Sequence, residues 1–273
     1  MEEVAMNNIQ VARETLKTIE NQSYLYGGTK ISFADIDFRR VVVITPEEGK
    51  ELLGQELSDF KNDGMCSFEV VNSDSFQAAR RFQNPFVMNF ANAHNPGGGF
   101  LLGATAQEEA LCRCSTLYAS ISSKEASKMY LFNNTHISSM ESDYMLLSPN
   151  VIVFRNEKCE LLEKPFQTAV ITIPAPNRHG AALFTSGKRI QETMQRRMRI
   201  MLRVAKRGGY RNLILGAWGC GEFGNDPRDI AAYFKEIFVT EGYGKCFETV
   251  CFAIYGKEDG RNINAFREVF QDM

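Results

Sequence analysis

Two glycine-rich stretches of this chain combine residue types that can hold an anion with residue types that can move a proton. The first runs from Val87-Met88-Asn89-Phe90-Ala91 through Asn92, Asn95 and the triplet Gly97-Gly98-Gly99 to Gln107-Glu108-Glu109. Three adjacent glycines remove the Cβ atoms from one length of backbone and let a ligand touch the main chain. Their N–H groups, next to a helix N-terminus, suit an anion. The G-x-G-x-x-G spacing of a dinucleotide fold is absent. The second stretch, Asn212 to Pro227, carries Gly219-Cys220-Gly221-Glu222-Phe223-Gly224-Asn225 between an apolar run and the helix start Asp226-Pro227. That is again a strand, a glycine turn and a helix N-terminus, the usual place for a phosphate or diphosphate at the C-terminal edge of an α/β sheet. Two such loops at strand ends imply one cleft between them.

Each candidate also has a structural reading. Thr105 with Glu108 three residues on reads as a capping box, and acids in a first helical turn are favoured by the dipole. Glu109 has no capping duty. Adjacent helical residues diverge by about 100°, so Glu108 and Glu109 do not form a facing pair across a bond, and one of them must do most of the proton work. Phe223, set between glycines with no local core to join, reads as a ring that packs on a ligand, whereas Trp218 is ambiguous, since the only tryptophan of a chain is more often core. His94, His136 and His179 are the only histidines, and none stands in HExxH or four residues from another, so a metal is not expected. Cys112 and Cys114 read as buried thiols, and Cys220 has no histidine beside it to make it a nucleophile.

These loops need a framework, and the 273 residues supply one. Hydrophobic residues make up 44% and charged residues 23%, which excludes collagenous, low-complexity and wholly disordered classes. The net charge of −2 gives no global field for nonspecific binding to duplex DNA. Seven scattered cysteines without a CxxC pair argue against a disulfide framework or structural zinc and for a reducing compartment. No basic leader followed by an apolar stretch is visible, and no window approaches a membrane span, so a cytoplasmic or nucleocytoplasmic location is expected.

From residue 41 onward, β-branched runs alternate with helical patterns, which predicts an α/β fold. The expected strands are Val41 to Ile44, Phe68 to Val71, Phe86 to Phe90, Val151 to Phe154, Ala169 to Ile173, Leu213 to Leu215 and Val250 to Tyr255. Several are almost wholly apolar, as strands covered on both faces should be. Helix starts are marked at Thr45-Pro46, Thr105 and Asp226-Pro227. Residues 1–40 read as an extension with one helix, Ile9 to Ile19, and a less regular arm, packed on a single domain spanning 41–273. Residues 133 to 148 read as a hairpin or a long rim loop. Lys188 to Arg211 holds nine Lys/Arg and one acid among spaced apolar residues, an amphipathic helix with a solvated basic face that would suit a polyanion if it bordered the cleft.

The triplet Gly97-Gly98-Gly99, seven residues, then Gln107-Glu108-Glu109 resembles the signature of poly(ADP-ribose) glycohydrolases, and Gly219 to Asn225 resembles the diphosphate loop of their microbial branch. The similarity covers roughly residues 40 to 270. It implies a macrodomain-like three-layer fold with a mixed, mainly parallel sheet between helices. It also implies roles: Glu109 as catalytic acid/base, with Glu108, Asn92, Asn95 and Gln107 on sugar hydroxyls. Gly97, Gly98, Gly99 and the loop Gly219, Cys220, Gly221, Glu222, Gly224, Asn225 would hold the diphosphate. Phe223 would position the terminal ribose, and Tyr255 matches the place of an aromatic beside adenine.

The activity so implied is hydrolysis of ribose–ribose O-glycosidic bonds in poly(ADP-ribose), in exo fashion with release of ADP-ribose, without metal or other cofactor. The partners implied are the polymer, or ADP-ribosylated proteins, and no membrane. A mono-ADP-ribosyl hydrolase acting on protein or nucleic acid and a non-catalytic ADP-ribose reader remain the alternatives. The intact Glu108-Glu109 pair favours catalysis over reading.

Overall fold

A computed structural model of the chain describes residues 7–57, 66–136, 138–180, 182–271 and 273. In chain order the helices are α1 (Asn8–Asn21), α2 (Pro46–Gly54), α3 (Ser75–Ala79), α4 (Gln107–Cys114), α5 (Leu117–Ile121), α6 (Ser127–Thr135), α7 (Gly187–Arg207), α8 (Pro227–Lys235) and α9 (Arg261–Phe270). The strands are β1 (Ser23–Tyr26), β2 (Thr29–Ser32), β3 (Val42–Ile44), β4 (Ser67–Val71), β5 (Phe86–Ala91), β6 (Met145–Arg155), β7 (Leu161–Pro174), β8 (Asn212–Leu215) and β9 (Thr249–Ala253). A seven-stranded sheet in the order β3-β6-β7-β5-β8-β9-β4 forms the middle layer. It is parallel from β7 through β5, β8 and β9 to β4, while β6 runs antiparallel to both of its neighbours.

The central strands are apolar on both faces, and their alternation sorts side chains into two cores. Phe86, Met88, Ala169, Ile171, Leu213, Leu215, Val250 and Phe252 pack on one face with Leu52 of α2, Met194 and Met198 of α7, Ile230 of α8 and Phe266 of α9. Val87, Val170, Ile214 and Cys251, one position out of phase, pack on the other with Ala12 of α1, Phe76 of α3, Leu111 of α4, Leu117 of α5 and Met129 of α6. This is the three-layer α/β arrangement that the alternation of elements predicts. Among the described residues no helix is long and apolar enough to cross a membrane.

Side-chain caps mark five of the nine described α-helix starts. Thr45 and Glu48 form a reciprocal capping box at α2, with the Glu48 N–H donating to Thr45 Oγ1 at 3.2 Å and the Thr45 N–H to Glu48 Oε2 at 2.8 Å. Asp226 caps α8 by accepting from the Arg228 N–H at 2.9 Å. Thr105 does not cap α4: that helix begins after Ala106 with no side-chain cap, because Glu108 is committed to the loop that follows β5.

Three further expectations are corrected. The strands expected at Val151 to Phe154 and Ala169 to Ile173 are present but as parts of longer strands paired in one hairpin, and β6 already begins at Met145, within the stretch read as a hairpin or a long rim loop. Ser148-Pro149-Asn150 hides that start, since the β6–β7 register shifts between Ser148 and Val151. The arm after α1 contains a hairpin, β1–β2, turned at Gly27-Gly28. The basic face of α7 is only partly solvated. Arg197 is buried, donating to Asp143 Oδ1 at 2.9 Å and to the carbonyls of Pro174 and Met140, and buried Arg203 donates to the carbonyls of Leu52 and Gln55. These arginines close helix-to-loop gaps and are not displayed to solvent.

The N-terminal segment docks on the α4 side of the sheet. Thr15 Oγ1 donates to the Arg113 carbonyl at 2.7 Å, the Tyr24 hydroxyl donates to the Leu162 carbonyl, and Phe33 stacks on Phe154 with ring centroids 6.1 Å apart. A third apolar cluster, centred on Tyr24, Phe33, Phe38 and Phe154, holds it there.

Candidate active site

Strands β5 and β8 are parallel neighbours, so the loops that leave their C-terminal ends emerge side by side at one edge of the sheet. The loop after β5 carries Asn92, Asn95 and the three glycines, and the loop after β8 carries Gly219 to Asn225. Helix α4 returns from the first loop and α8 from the second, so both N-termini open at this edge and favour negative charge there.

Glu108 and Glu109 occupy the first turn of α4 and are both buried. Their chain directions diverge, yet their carboxylates converge on one glycine. A Cβ on Gly98 would stand 2.4 Å from Glu109 Oε1 and 3.4 Å from Glu108 Oε2. Gly98 also has φ +54°, a left-handed conformation that other residues enter at a cost. Glu109 Oε1 accepts from the Gly99 N–H at 2.8 Å, while Oε2 is buried with no hydrogen-bond partner among the described residues. Buried polar groups are normally paired, so an orphaned carboxylate oxygen beside a glycine loop marks a place where something else binds.

Glu108 is held from both sides, accepting from the Asn92 N–H at 2.7 Å and from Asn89 Nδ2 at 3.2 Å. Burial pushes its carboxyl up to about 8; these hydrogen bonds oppose the rise, and the neighbouring Glu109 adds to it. Near neutral pH the pair therefore carries less than two full negative charges. Asn89 sits at the centre of β5, fully buried, and its Nδ2 also donates to Thr172 Oγ1 at 3.1 Å. Sequence reasoning missed it as a site residue, although an amide in the middle of an apolar strand was the available signal.

Gln107 is spent inside the protein. Its Oε1 accepts from the Phe90 N–H at 2.9 Å, and its Nε2 donates to the Met88 carbonyl at 2.8 Å and to Ser75 Oγ at 3.1 Å. It clamps α4 to the end of β5, which corrects the expectation that its amide faces sugar hydroxyls. Asn92 Oδ1 accepts from the N–H groups of His94 and Asn95, fixing the turn, and its Nδ2 makes no hydrogen bond among the described residues. Asn95 is exposed at the rim. Gly97 lies under the Tyr118 ring and Cys112, so Ala or larger there meets a packed wall.

The second loop is tied down by Asn225, whose Nδ2 donates to the carbonyls of Pro176 at 2.9 Å and Gly219 at 3.1 Å. The Arg178 N–H donates to the Phe223 carbonyl at 2.9 Å, joining this loop to the one that follows β7. Gly224, with φ +66°, lies under the His179 imidazole, where any Cβ would overlap the ring. Gly221 and Glu222 are exposed at the tip. Phe223 is half-buried and packs against the edge of the main core, so it is partly a core residue, more so than its flanking glycines suggested. Trp218 is fully buried and donates from Nε1 to the Ile173 carbonyl at 3.1 Å. Cys112 and Cys114 are buried, and burial pushes the half-buried Cys220 thiol up to about 12, which suits no nucleophile. Tyr255, two residues beyond β9, is 77% exposed. Among the described residues no three His, Cys, Asp or Glu side chains converge as metal ligands.

Comparison with known proteins shows what the chain as a whole is similar to. The family model for the microbial-type PARG catalytic domain matches residues 12–156. No curated protein sequence matches the chain. Among solved structures, the poly(ADP-ribose) glycohydrolase of Thermomonospora curvata superposes with a TM-score of 0.89 at 34% identity, covering 96% of this chain and 99% of that one. The same enzyme bound to the inhibitor ADP-HPD gives 0.85 at 33% identity, with 96% and 98% covered. The poly(ADP-ribose) glycohydrolase of Deinococcus radiodurans in complex with ADP-ribose gives 0.78 at 36% identity, with 86% and 95% covered. The chain belongs to the microbial-type poly(ADP-ribose) glycohydrolase family.

Proposed function

We propose that this protein is a glycosidase that hydrolyses ribose–ribose O-glycosidic bonds of poly(ADP-ribose), with Glu109 as the acid/base. The observation that carries the reading is the Glu109 carboxylate: one oxygen is anchored on the Gly99 N–H, and the other is buried and unpartnered beside the glycine triplet. Anchoring through Oε1 fixes the direction of Oε2. In its acid form Glu109 protonates the departing ribose oxygen as an oxocarbenium-like transition state forms, and as carboxylate it then activates a water.

Glu108, steadied by Asn89 and Asn92, holds ribose hydroxyls, with Asn92 Nδ2 and Asn95 at the rim. The backbones of Gly97 to Gly99 and Gly219 to Asn225 hold the diphosphate between two helix N-termini. Its negative charge, set beside the sugar, favours the developing cation. Phe223 positions the terminal ribose, and Tyr255 lies beside adenine. In this reading residues 1–40 are an extension docked on a catalytic domain of residues 41–273, and its contact with the carbonyl of Arg113 steadies α4.

Cleavage proceeds from chain ends with release of ADP-ribose. A ribose leaving group offers hydroxyls to Glu108, Asn92 and Asn95 that a bare protein side-chain oxygen lacks, and sites built on hydrogen bonds discriminate against partners without them. Digestion of automodified polymer, resolving free ADP-ribose, oligomers and the residual protein-linked unit, tests this. Free ADP-ribose should appear first, with the protein-linked unit left behind. Equally rapid clearance of that unit would favour a mono-ADP-ribosyl hydrolase instead.

A further inference from the structure

The far end of α4 from its carboxylates carries a second reactive arrangement. Cys114 is the last residue of α4, and Cys159 lies in the turn between β6 and β7. A single carbonyl, that of Asn156, accepts from both Cys114 Sγ at 3.2 Å and the Cys159 N–H at 2.9 Å. Cys159 packs against the buried apolar cluster that contains Cys114, and the two sulfurs lie within interaction range of each other. Cys114 is buried and Cys159 half-buried, so one thiol faces the core and the other can meet solvent. Cys159 has φ +64°, held in place by its own carbonyl, which accepts from Arg155 Nη1 at 2.7 Å. The Arg113 and Arg155 guanidinium groups both bear on its sulfur.

We propose that Cys114 and Cys159 form a redox-active dithiol that takes a hydroperoxide as oxidant and closes to an intrachain disulfide between the end of α4 and the β6–β7 turn. Cys159 thiolate attacks one oxygen of hydrogen peroxide; the S–O bond forms as the O–O bond breaks, and the departing hydroxide takes up a proton as water. Cys114 sulfur then attacks the Cys159 sulfenic acid, the S–S bond forms as the S–O bond breaks, and the Cys114 proton leaves with the hydroxyl as a second water. Two electrons pass from the two thiols to the peroxide. The assignment of Cys159 as the attacking thiol follows from its surroundings. The neighbouring Cys114 sulfur, then the charges of Arg113 and Arg155, hold its thiol below the ordinary range against its burial, whereas burial raises the other cysteines, so Cys159 carries the largest thiolate share at neutral pH. Cys66 is also half-buried, but burial pushes its thiol up to about 12.

The test uses the full-length reduced protein treated with one equivalent of hydrogen peroxide, then alkylated, digested and mapped by mass spectrometry. The expected product is a peptide pair linked Cys114 to Cys159, at least tenfold more abundant than any other cysteine link. Independently, iodoacetamide alkylation of Cys159 should level off at a lower pH than that of an ordinary thiol, which keeps gaining until about pH 8.5. In Cys114→Ser the sulfenic acid has no resolving thiol and should accumulate on Cys159, where dimedone traps it. Links through other cysteines, or alkylation of Cys159 that rises in parallel with an ordinary thiol, would overturn the proposal. The wild-type mapping decides even if the variant folds poorly.

Discussion

Gly98→Ala tests how the glycine triplet positions the acid. The new Cβ would stand 2.4 Å from Glu109 Oε1 and 3.3 Å from its Cδ. An ordinary carbon–oxygen contact needs roughly 3.4 Å or more, so the carboxylate must retreat by about 1 Å or the loop must move, and either breaks the anchor to the Gly99 N–H. Misplacement on that scale costs about 10²-fold in turnover. The stability cost has two parts: about 1–2 kcal/mol for placing alanine at φ +54°, and about 1.5–3 kcal/mol for a lost hydrogen bond to a charged group. At roughly 2–4 °C per kcal/mol for a chain of this size, Tm should fall by about 5–20 °C, leaving a folded protein at 25 °C. Polymer turnover at 25 °C and a thermal melt measure the two separately. Gly187→Ala, at the start of α7 with nothing within 4 Å of the added Cβ, is the control and should change neither. Gly98→Ala with wild-type turnover would refute the claim that Glu109 Oε1 is held where the structure puts it.

Phe223→Ala should lower turnover about 10²-fold through lost positioning, while its half-buried ring limits the stability loss to about 1–2 kcal/mol, below the ~3–5 kcal/mol of a fully buried phenylalanine; a melt and a rate on the same sample separate the two. Asn225→Ala removes both bonds that tie down the Gly219 to Asn225 loop at the Pro176 and Gly219 carbonyls, and, on the proposed role of that loop, calorimetry should show weaker ADP-ribose binding with a stability loss of about 1–3 kcal/mol. Glu108 gives a pH signature. Its native carboxyl titrates at about 8, above the ordinary value near 4.5, so between those values the native state binds more protons than the unfolded state. Its contribution is complete below about pH 4.5 and is lost as pH rises through 8. Urea midpoints of wild type should therefore fall over that window, and Glu108→Gln should flatten the slope.

Much of this architecture was written in the sequence, because strands covered on both faces are almost wholly apolar and because Thr45-Pro46-Glu48 and Asp226-Pro227 start helices by local hydrogen bonds. The two glycine loops were legible for the same reason: a strand, a turn and a helix N-terminus are all local. What was not legible depended on contacts between distant residues. Thr105-x-x-Glu108 has the form of a capping box, yet Glu108 bonds instead to Asn89 and Asn92, which the fold brings beneath it. Gln107 looks like a ligand-facing amide until the end of β5 is seen to consume it. Arg197 belongs to a basic run in sequence, but Asp143 lies against it. Burial acts to raise the Asp143 carboxyl, and Arg196 and Arg197 outweigh it and hold it low. The β1–β2 hairpin was a different kind of miss, since Tyr26-Gly27-Gly28-Thr29 is a legible two-residue turn.

Glu109→Gln bears most directly on the central claim. The amide is nearly isosteric, and its Oε1 can still accept from the Gly99 N–H, so the loop and the diphosphate site should survive. What it lacks is a transferable proton at the orphaned position. Calorimetry with ADP-ribose, paired with polymer turnover on the same preparation, should show binding within a few-fold of wild type and a rate lower by about 10² to 10⁴ or more. Turnover within a few-fold of wild type would contradict Glu109 as the acid/base and return the chemistry to another group.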